Sequence, residues 1–121
     1  MKRLFVDCDD TLVTWLDEFD MPLTGQNPYG GGSQRWRFNE GVVSSVNRWI
    51  RENPVGAVVI WSGGGADYAR TWRDRAFPSG PVGFASKDTR VPAIGDLVVD
   101  DQPIKTRGTY LSVEQFTESS Q

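Results

Sequence analysis

Four short stretches of this sequence hold side chains able to do chemistry together. Asp7-Cys8-Asp9-Asp10-Thr11-Leu12 sets the Asp7 and Asp9 carboxylates two residues apart after the apolar run Leu4-Phe5-Val6, and Asp100-Asp101 follows Leu97-Val98-Val99. Ser62 follows the apolar run that ends in Trp61, and Lys87 comes just after Val82-Gly83-Phe84-Ala85. If these runs are strands of one sheet, the polar groups meet at one of its edges. Carboxylates within a few ångströms of one another repel strongly unless a hard cation neutralises them, and an all-oxygen donor set suits magnesium. The constellation therefore predicts a bound Mg2+. The chain contains no histidine. That removes imidazole bases, His-based triads and His-ligated zinc, and leaves acid–base work to carboxylates or lysine.

The elements that must position these groups follow from the apolar pattern. Leu4-Phe5-Val6, Gly56 to Trp61 and Leu97-Val98-Val99 are continuous apolar runs of strand length, with Val82 to Ala85 and Thr109-Tyr110-Leu111 as weaker candidates. Runs of this kind suit strands covered on both faces, as in a parallel sheet. Between the first two, Val42, Val43, Val46, Trp49 and Ile50 recur at helical spacing, with Asn39 as the cap and Asn53-Pro54 as the stop. Ala69, Trp72 and Ala76 mark a second helix after Gly63-Gly64-Gly65, and Pro92 keeps any helix between Lys87 and Gly95 short. Ser112-Val113-Glu114-Gln115 has capping-box spacing and opens a short last helix before a polar tail, residues 117–121. Strand and helix alternate, so the expected fold is α/β: a doubly wound, mostly parallel, Rossmann-like sheet sandwiched by helices, with ligands at the carboxyl ends of its strands.

At 121 residues the chain is the size of one compact domain. Its net charge of -3 and pI near 4.8 argue against tight nucleic-acid binding by charge alone. The single cysteine, Cys8, cannot pair within the chain and suits a reducing compartment. Met1 to Val6 is too short an apolar start for a signal peptide, and no run reaches membrane-spanning length, so the expected location is cytoplasmic.

The pattern Asp7-x-Asp9-x-Thr11-Leu12, the strand ending in Ser62, then Lys87, then the strand ending in Asp100-Asp101 resembles the haloacid dehalogenase superfamily of phosphohydrolases, in order and over about residues 3–103. The resemblance implies a phosphatase in which Asp7 is the nucleophile and forms an aspartyl-phosphate. Asp9 would protonate the leaving oxygen and then deprotonate the hydrolytic water. Mg2+ would be held by Asp7, Asp100, the backbone carbonyl of Asp9, and Asp101 through water. Ser62 and backbone N–H groups such as that of Gly63 would hold the phosphoryl oxygens, with Lys87 supplying positive charge. Thr11 would help hold the loop. Each residue also has a plainer use: Asp7 and Asp9 as turn formers, Asp100-Asp101 as a strand-end turn, Ser62 as a helix cap, Lys87 as a solvated lysine replaced in its role by Lys105 or an arginine.

Family members usually carry a cap domain, and neither gap in this chain is long enough for a large one. Residues 24–38, rich in glycine and polar residues and ending in Arg35-Trp36-Arg37-Phe38, are expected to be a loop able to act as a lid. There Arg35, Trp36 and Arg37 would contact substrate, Trp36 by stacking on a base, unless the loop folds its aromatics into the core. The resemblance extends in style to phosphatases of nucleic-acid 3′ ends, so nucleotides or such ends are the expected substrates, with sugar phosphates as the alternative. A phospho-receiver domain is disfavoured because its acceptor aspartate belongs on a middle strand, and the Gly56 strand ends in Trp61-Ser62.

Overall fold

The computed structural model describes residues 2–16, 35–78 and 80–118. Strand β1 (Arg3–Asp7) enters a tight turn that leads to β2 (Val13–Leu16), which pairs antiparallel with β3 (Arg35–Phe38). Helix α1 (Glu40–Glu52), β4 (Ala57–Ser62), α2 (Ala66–Ala76), β5 (Val82–Ser86), β6 (Leu97–Val99), β7 (Thr109–Leu111) and α3 (Val113–Glu118) follow. Five strands form one sheet in the order β5-β4-β1-β6-β7, and every neighbouring pair is parallel. The chain steps outward from β1 to β4 and β5, then returns to the other side of β1 for β6 and β7. Successive connections therefore leave in opposite directions at the β1–β6 boundary. In open α/β sheets this switch point opens a crevice beyond the carboxyl ends of the strands.

Alternate residues of each strand point to opposite faces, and the apolar runs fill both. Leu4, Val6, Val58, Ile60 and Val82 share a core with Val42, Val46 and Trp49 of α1, Ala69 and Trp72 of α2, and Phe116 of α3. Phe5, Val59, Trp61, Ala85 and Val98 form a smaller cluster on the other face, against which Ile104 packs. The expected sandwich is thus one-sided among the described residues. All three helices bury their side chains on the first face. The second is covered by the connections over residues 87–96 and 100–108, which are short and contain no helix.

The capping chemistry is as the sequence predicts. Asn39 accepts from the Val42 N–H at 3.2 Å to start α1, and Ser112 and Gln115 exchange side chain–backbone bonds of 3.1 and 2.9 Å to start α3. Two boundaries differ. Thr117 and Glu118 belong to α3 rather than to a tail, with the Thr117 hydroxyl donating to the Val113 carbonyl at 2.9 Å; residues 119–121 lie outside the described residues. Arg35 to Phe38 form a strand, not the end of a loop, while residues 24–34 of that expected lid lie outside the described residues. Trp36 is only 4% exposed and its ring meets that of Trp72 edge-on at 4.8 Å. It is a core residue and cannot stack on a base. No described helix is long and apolar enough to cross a membrane.

Candidate active site

Register brings the polar strand ends together. Asp7 closes β1 level with Trp61 of β4, and Ser62 is level with Ser86 of β5, one residue before Lys87. On the other side Val6 is level with Val99, so Asp100 leaves β6 beside Asp7. Lys87 spans the switch point: its Nζ lies 3.0 Å from Asp7 Oδ1 and 2.8 Å from Asp100 Oδ2, while its backbone N–H donates to the Ser62 carbonyl at 2.9 Å. Thr11, fully buried, donates its hydroxyl to Asp7 Oδ2 at 3.2 Å. Both oxygens of Asp7 are therefore fixed, and the residue is 8% exposed.

Asp9 is presented differently. After Asp7 the chain turns so tightly that the Cys8 carbonyl accepts from the N–H groups of Thr11, Leu12 and Val13 at 3.0–3.3 Å. Asp10 sits in the turn with φ 62°, a left-handed conformation that aspartate tolerates better than most residues. The turn leaves Asp9 exposed, and two elements hold it there: Trp15 Nε1 of β2 and the Tyr68 hydroxyl of α2 both donate to Asp9 Oδ1, at 3.0 and 2.5 Å. Sequence reasoning missed both donors. Their partnership depends on how the β2–β3 pair packs against α2, through edge-on contacts of Trp15, Trp36 and Phe38 with Trp72, and no spacing in the sequence encodes it.

No protein-family model, curated protein or solved structure matches this chain.

The electrostatics separate this site from an ordinary ion pair. Asp96, also buried, takes bonds from the Arg3 guanidinium and from the backbone N–H groups of Arg3 and Ala93. Burial alone would raise its pKa, but those bonds outweigh it and hold the carboxyl below the usual range. Asp7 shows the reverse: burial drives it up to about 6, with the nearby Asp100 and Asp101 charges adding to the rise and Lys87 opposing it. Asp101 is likewise raised by burial and by its Asp100 neighbour. For Lys87, burial disfavours the charge, but the bonds to Asp100 and Asp7 win and the ammonium is held above the ordinary lysine value. A buried carboxylate whose pKa is pushed up by burial and by like charges is a mark of functional sites more than of structural ones. Burial also pushes the Cys8 thiol far up, so it is inert.

Carboxylate oxygens of Asp7, Asp100 and Asp101 lie within 4.8 Å of one another, a hard donor set that fits Mg2+. The Asp9 carboxylate is not part of that group. Ser62 is buried and its Oγ accepts from the Gly64 N–H at 2.9 Å, which is the turn-capping use, while exposed Gly63 lies at the same edge. Arg37 is exposed in β3.

The raised Asp7 pKa has a consequence for stability. Its folded value, about 6, exceeds the ordinary 3.8, so the folded state holds a proton that the unfolded chain has released. Stability from this source is complete below about pH 4 and is lost as pH rises through 6. In metal-free protein Asp7→Asn is therefore expected to be stabilising at pH 8, by up to about 3 kcal/mol, with the gain shrinking towards pH 4. Urea denaturation in chelator at both pH values measures it. An equal difference at the two would mean that ionising Asp7 costs the fold nothing.

Proposed function

We propose that this chain is a magnesium-dependent phosphomonoester hydrolase of the haloacid dehalogenase type, working through an aspartyl-phosphate on nucleotides or nucleic-acid 3′ ends. The observation that carries the reading is the division of labour between two carboxylates two residues apart. Asp7 is buried, fixed by Lys87 and Thr11, and beside Asp100 and Asp101; Asp9 is exposed and held by neutral donors. The parallel sheet, with these groups at the point where its strand order reverses, supports the same reading.

In the first half of the reaction an Asp7 carboxylate oxygen attacks phosphorus and the bond to the leaving oxygen breaks, with the Asp9 proton passing to that oxygen. In the second half Asp9, now ionised, takes a proton from water as the water oxygen attacks phosphorus. Inorganic phosphate leaves, and Asp7 regains its carboxylate. Asp7, Asp100 and Asp101 are the residues that would hold Mg2+, which when bound offsets negative charge at the ester and polarises a phosphoryl oxygen. Lys87 brings positive charge to the transferred group. Trp15 and Tyr68, bonding one oxygen of Asp9, leave its other oxygen to carry the proton.

Phosphate release from an aryl phosphate in the presence of magnesium is the direct test, and folded protein without such turnover would overturn the reading. Tyr68→Phe is expected to lower turnover about 2–10-fold, the worth of one hydrogen bond. The loss falls more on alkyl phosphates than on aryl ones, because a poor leaving group depends more on an oriented acid. Comparing kcat for the two substrate classes in wild type and variant checks this; an equal loss on both would make Tyr68 merely structural.

A further inference from the structure

The roles given so far leave β7, the edge strand beside β6, without one. Leu111 packs against the core shared with the helices, so its neighbour Tyr110 points to the helix-free face. There Tyr110 is level with Val98 of β6, and its hydroxyl donates to the Asp100 carbonyl, two residues further along, at 3.0 Å. Two residues of strand rise about 6.6 Å, a span that a tyrosine side chain covers and a short polar one does not. The phenol thus lies along the end of β6 and reaches past it.

That carbonyl belongs to the peptide unit joining Asp100 to Asp101, the two residues whose carboxylates form a donor set with Asp7. Strand β6 ends at Val99, so the unit lies beyond its last residue. Rotating it would carry Asp101 away from Asp7. Burial, and then the Asp100 neighbour, raise the Asp101 pKa, so without a cation the pair gains by moving apart. The other restraints act on the side chains. Lys87 and the Gln102 N–H hold the Asp100 carboxylate at 2.8 and 3.1 Å, and Gln102 Nε2 reaches Asp101 Oδ2 at 3.4 Å. The Tyr110 bond comes from a separate strand and acts on the backbone between the two carboxylates. Partial burial, and then the charges of Asp100, Asp101 and Glu114, hold the phenol above the ordinary tyrosine value, so it keeps its proton at neutral pH and remains a donor.

We propose that Tyr110 is a positioning residue for the cation site, pinning the Asp100–Asp101 peptide so that both carboxylates stay within reach of one ion with Asp7 before that ion arrives. This rests on the phosphatase reading for the identity of the cation, Mg2+, and adds what sets its affinity. Mg2+ demands near-ideal octahedral geometry at about 2.0–2.1 Å, whereas Ca2+ accepts a flexible shell at about 2.3–2.6 Å. A pinned turn therefore favours the smaller ion, and releasing it costs Mg2+ binding more than Ca2+ binding.

Calorimetric titration of metal-free protein with magnesium and with calcium tests this in wild type, Tyr110→Phe and Thr109→Ser, the last changing an exposed β7 residue beside the bond. Tyr110→Phe keeps the ring and is expected to weaken Mg2+ binding about 2–10-fold, the worth of one hydrogen bond, with a smaller loss for Ca2+. Thr109→Ser is expected to bind both ions as wild type does. The magnesium concentration that gives half-maximal aryl phosphate turnover rises by the same factor in Tyr110→Phe. Unchanged Mg2+ binding in Tyr110→Phe, an equal loss for the two ions, or the same loss in Thr109→Ser overturns the proposal, while wild-type turnover keeps the phosphatase reading alive. Mg2+ binding that weakens selectively in Tyr110→Phe, in a protein that turns over no ester, keeps the positioning role and sinks the phosphatase reading. A wild type that binds no Mg2+ overturns the proposal, and one that also turns over nothing sinks both.

Discussion

Asp7→Asn is expected to abolish turnover and to leave no covalent phosphoenzyme, whereas Asp9→Asn is expected to accumulate one. An amide is a poor nucleophile at phosphorus and a weaker ligand for a hard cation, so position 7 has no substitute among its neighbours. Asp100 is likewise bonded through both oxygens, by Lys87 at 2.8 Å and the Gln102 N–H at 3.1 Å, but Asp7, held by Lys87 at 3.0 Å and Thr11 at 3.2 Å, is the carboxylate that the tight turn follows with the exposed Asp9 two residues on. On the proposed mechanism Asp9 only moves protons. With an aryl ester, whose leaving group needs little protonation, Asp9→Asn still forms the intermediate but breaks it down slowly, at a cost of roughly 10²–10⁴-fold. Rapid quenching and intact-mass measurement detect the added phosphoryl group, and borohydride reduction followed by peptide mapping locates it. Label at Asp100 or Asp101, or wild-type turnover by folded Asp7→Asn, would sink the assignment of the nucleophile.

Removal of divalent cations is expected to reduce aryl phosphate turnover to background, and added magnesium to restore it. Three carboxylates reach within 4.8 Å of one another, and Lys87 is the cation bonded to Asp7 and Asp100. At an effective dielectric near 20, two like charges 4 Å apart cost about 4 kcal/mol, and an anionic ester adds to that repulsion. One ammonium leaves the cluster negative, so a phosphate ester has no favourable approach without a further cation. Magnesium should also raise the melting temperature of chelated protein, because a ligand held by grouped carboxylates binds the folded state. Full turnover in protein verified to be metal-free would remove the metal from the reading.

Much of the sheet was legible because its signals are local. Leu97–Val99 and Thr109–Leu111 are strands with the bounds the apolar runs suggest, and Asn39 and Ser112 cap helices where their side chains can reach backbone N–H groups. The meeting of Asp7, Lys87 and Asp100 was also foreseeable, since parallel strands carry their end residues to one edge. Arg35 to Phe38 were misread although they alternate in the manner of a strand: the glycine-rich stretch before them dominated the reading, and their partner Val13–Leu16 lies far away in sequence. Tyr68 and Trp15 were invisible for a deeper reason: the Tyr68 bond spans 59 residues, and the Trp15 bond, though it spans only 6, depends like it on packing around Trp72 and not on spacing. The helix-free second face was half legible: Pro92 forbids a long helix there, but only the topology shows that both short connections cross the same side.

Asp7 is rooted in the central strand of a five-stranded sheet, while Asp9 is steadied from outside by one residue of a two-stranded ribbon and one of a helix. Small ribbons open at lower free energy than central strands. Under mild heat or denaturant the two chemical half-steps therefore part company: the grip on Asp9 loosens first, while Asp7 keeps its place and its partners. On the proposed mechanism, activity would not fade uniformly as the protein is stressed. It would stall with phosphate still attached, and the fraction of stalled molecules would report the loosening of the ribbon before any loss of the sheet.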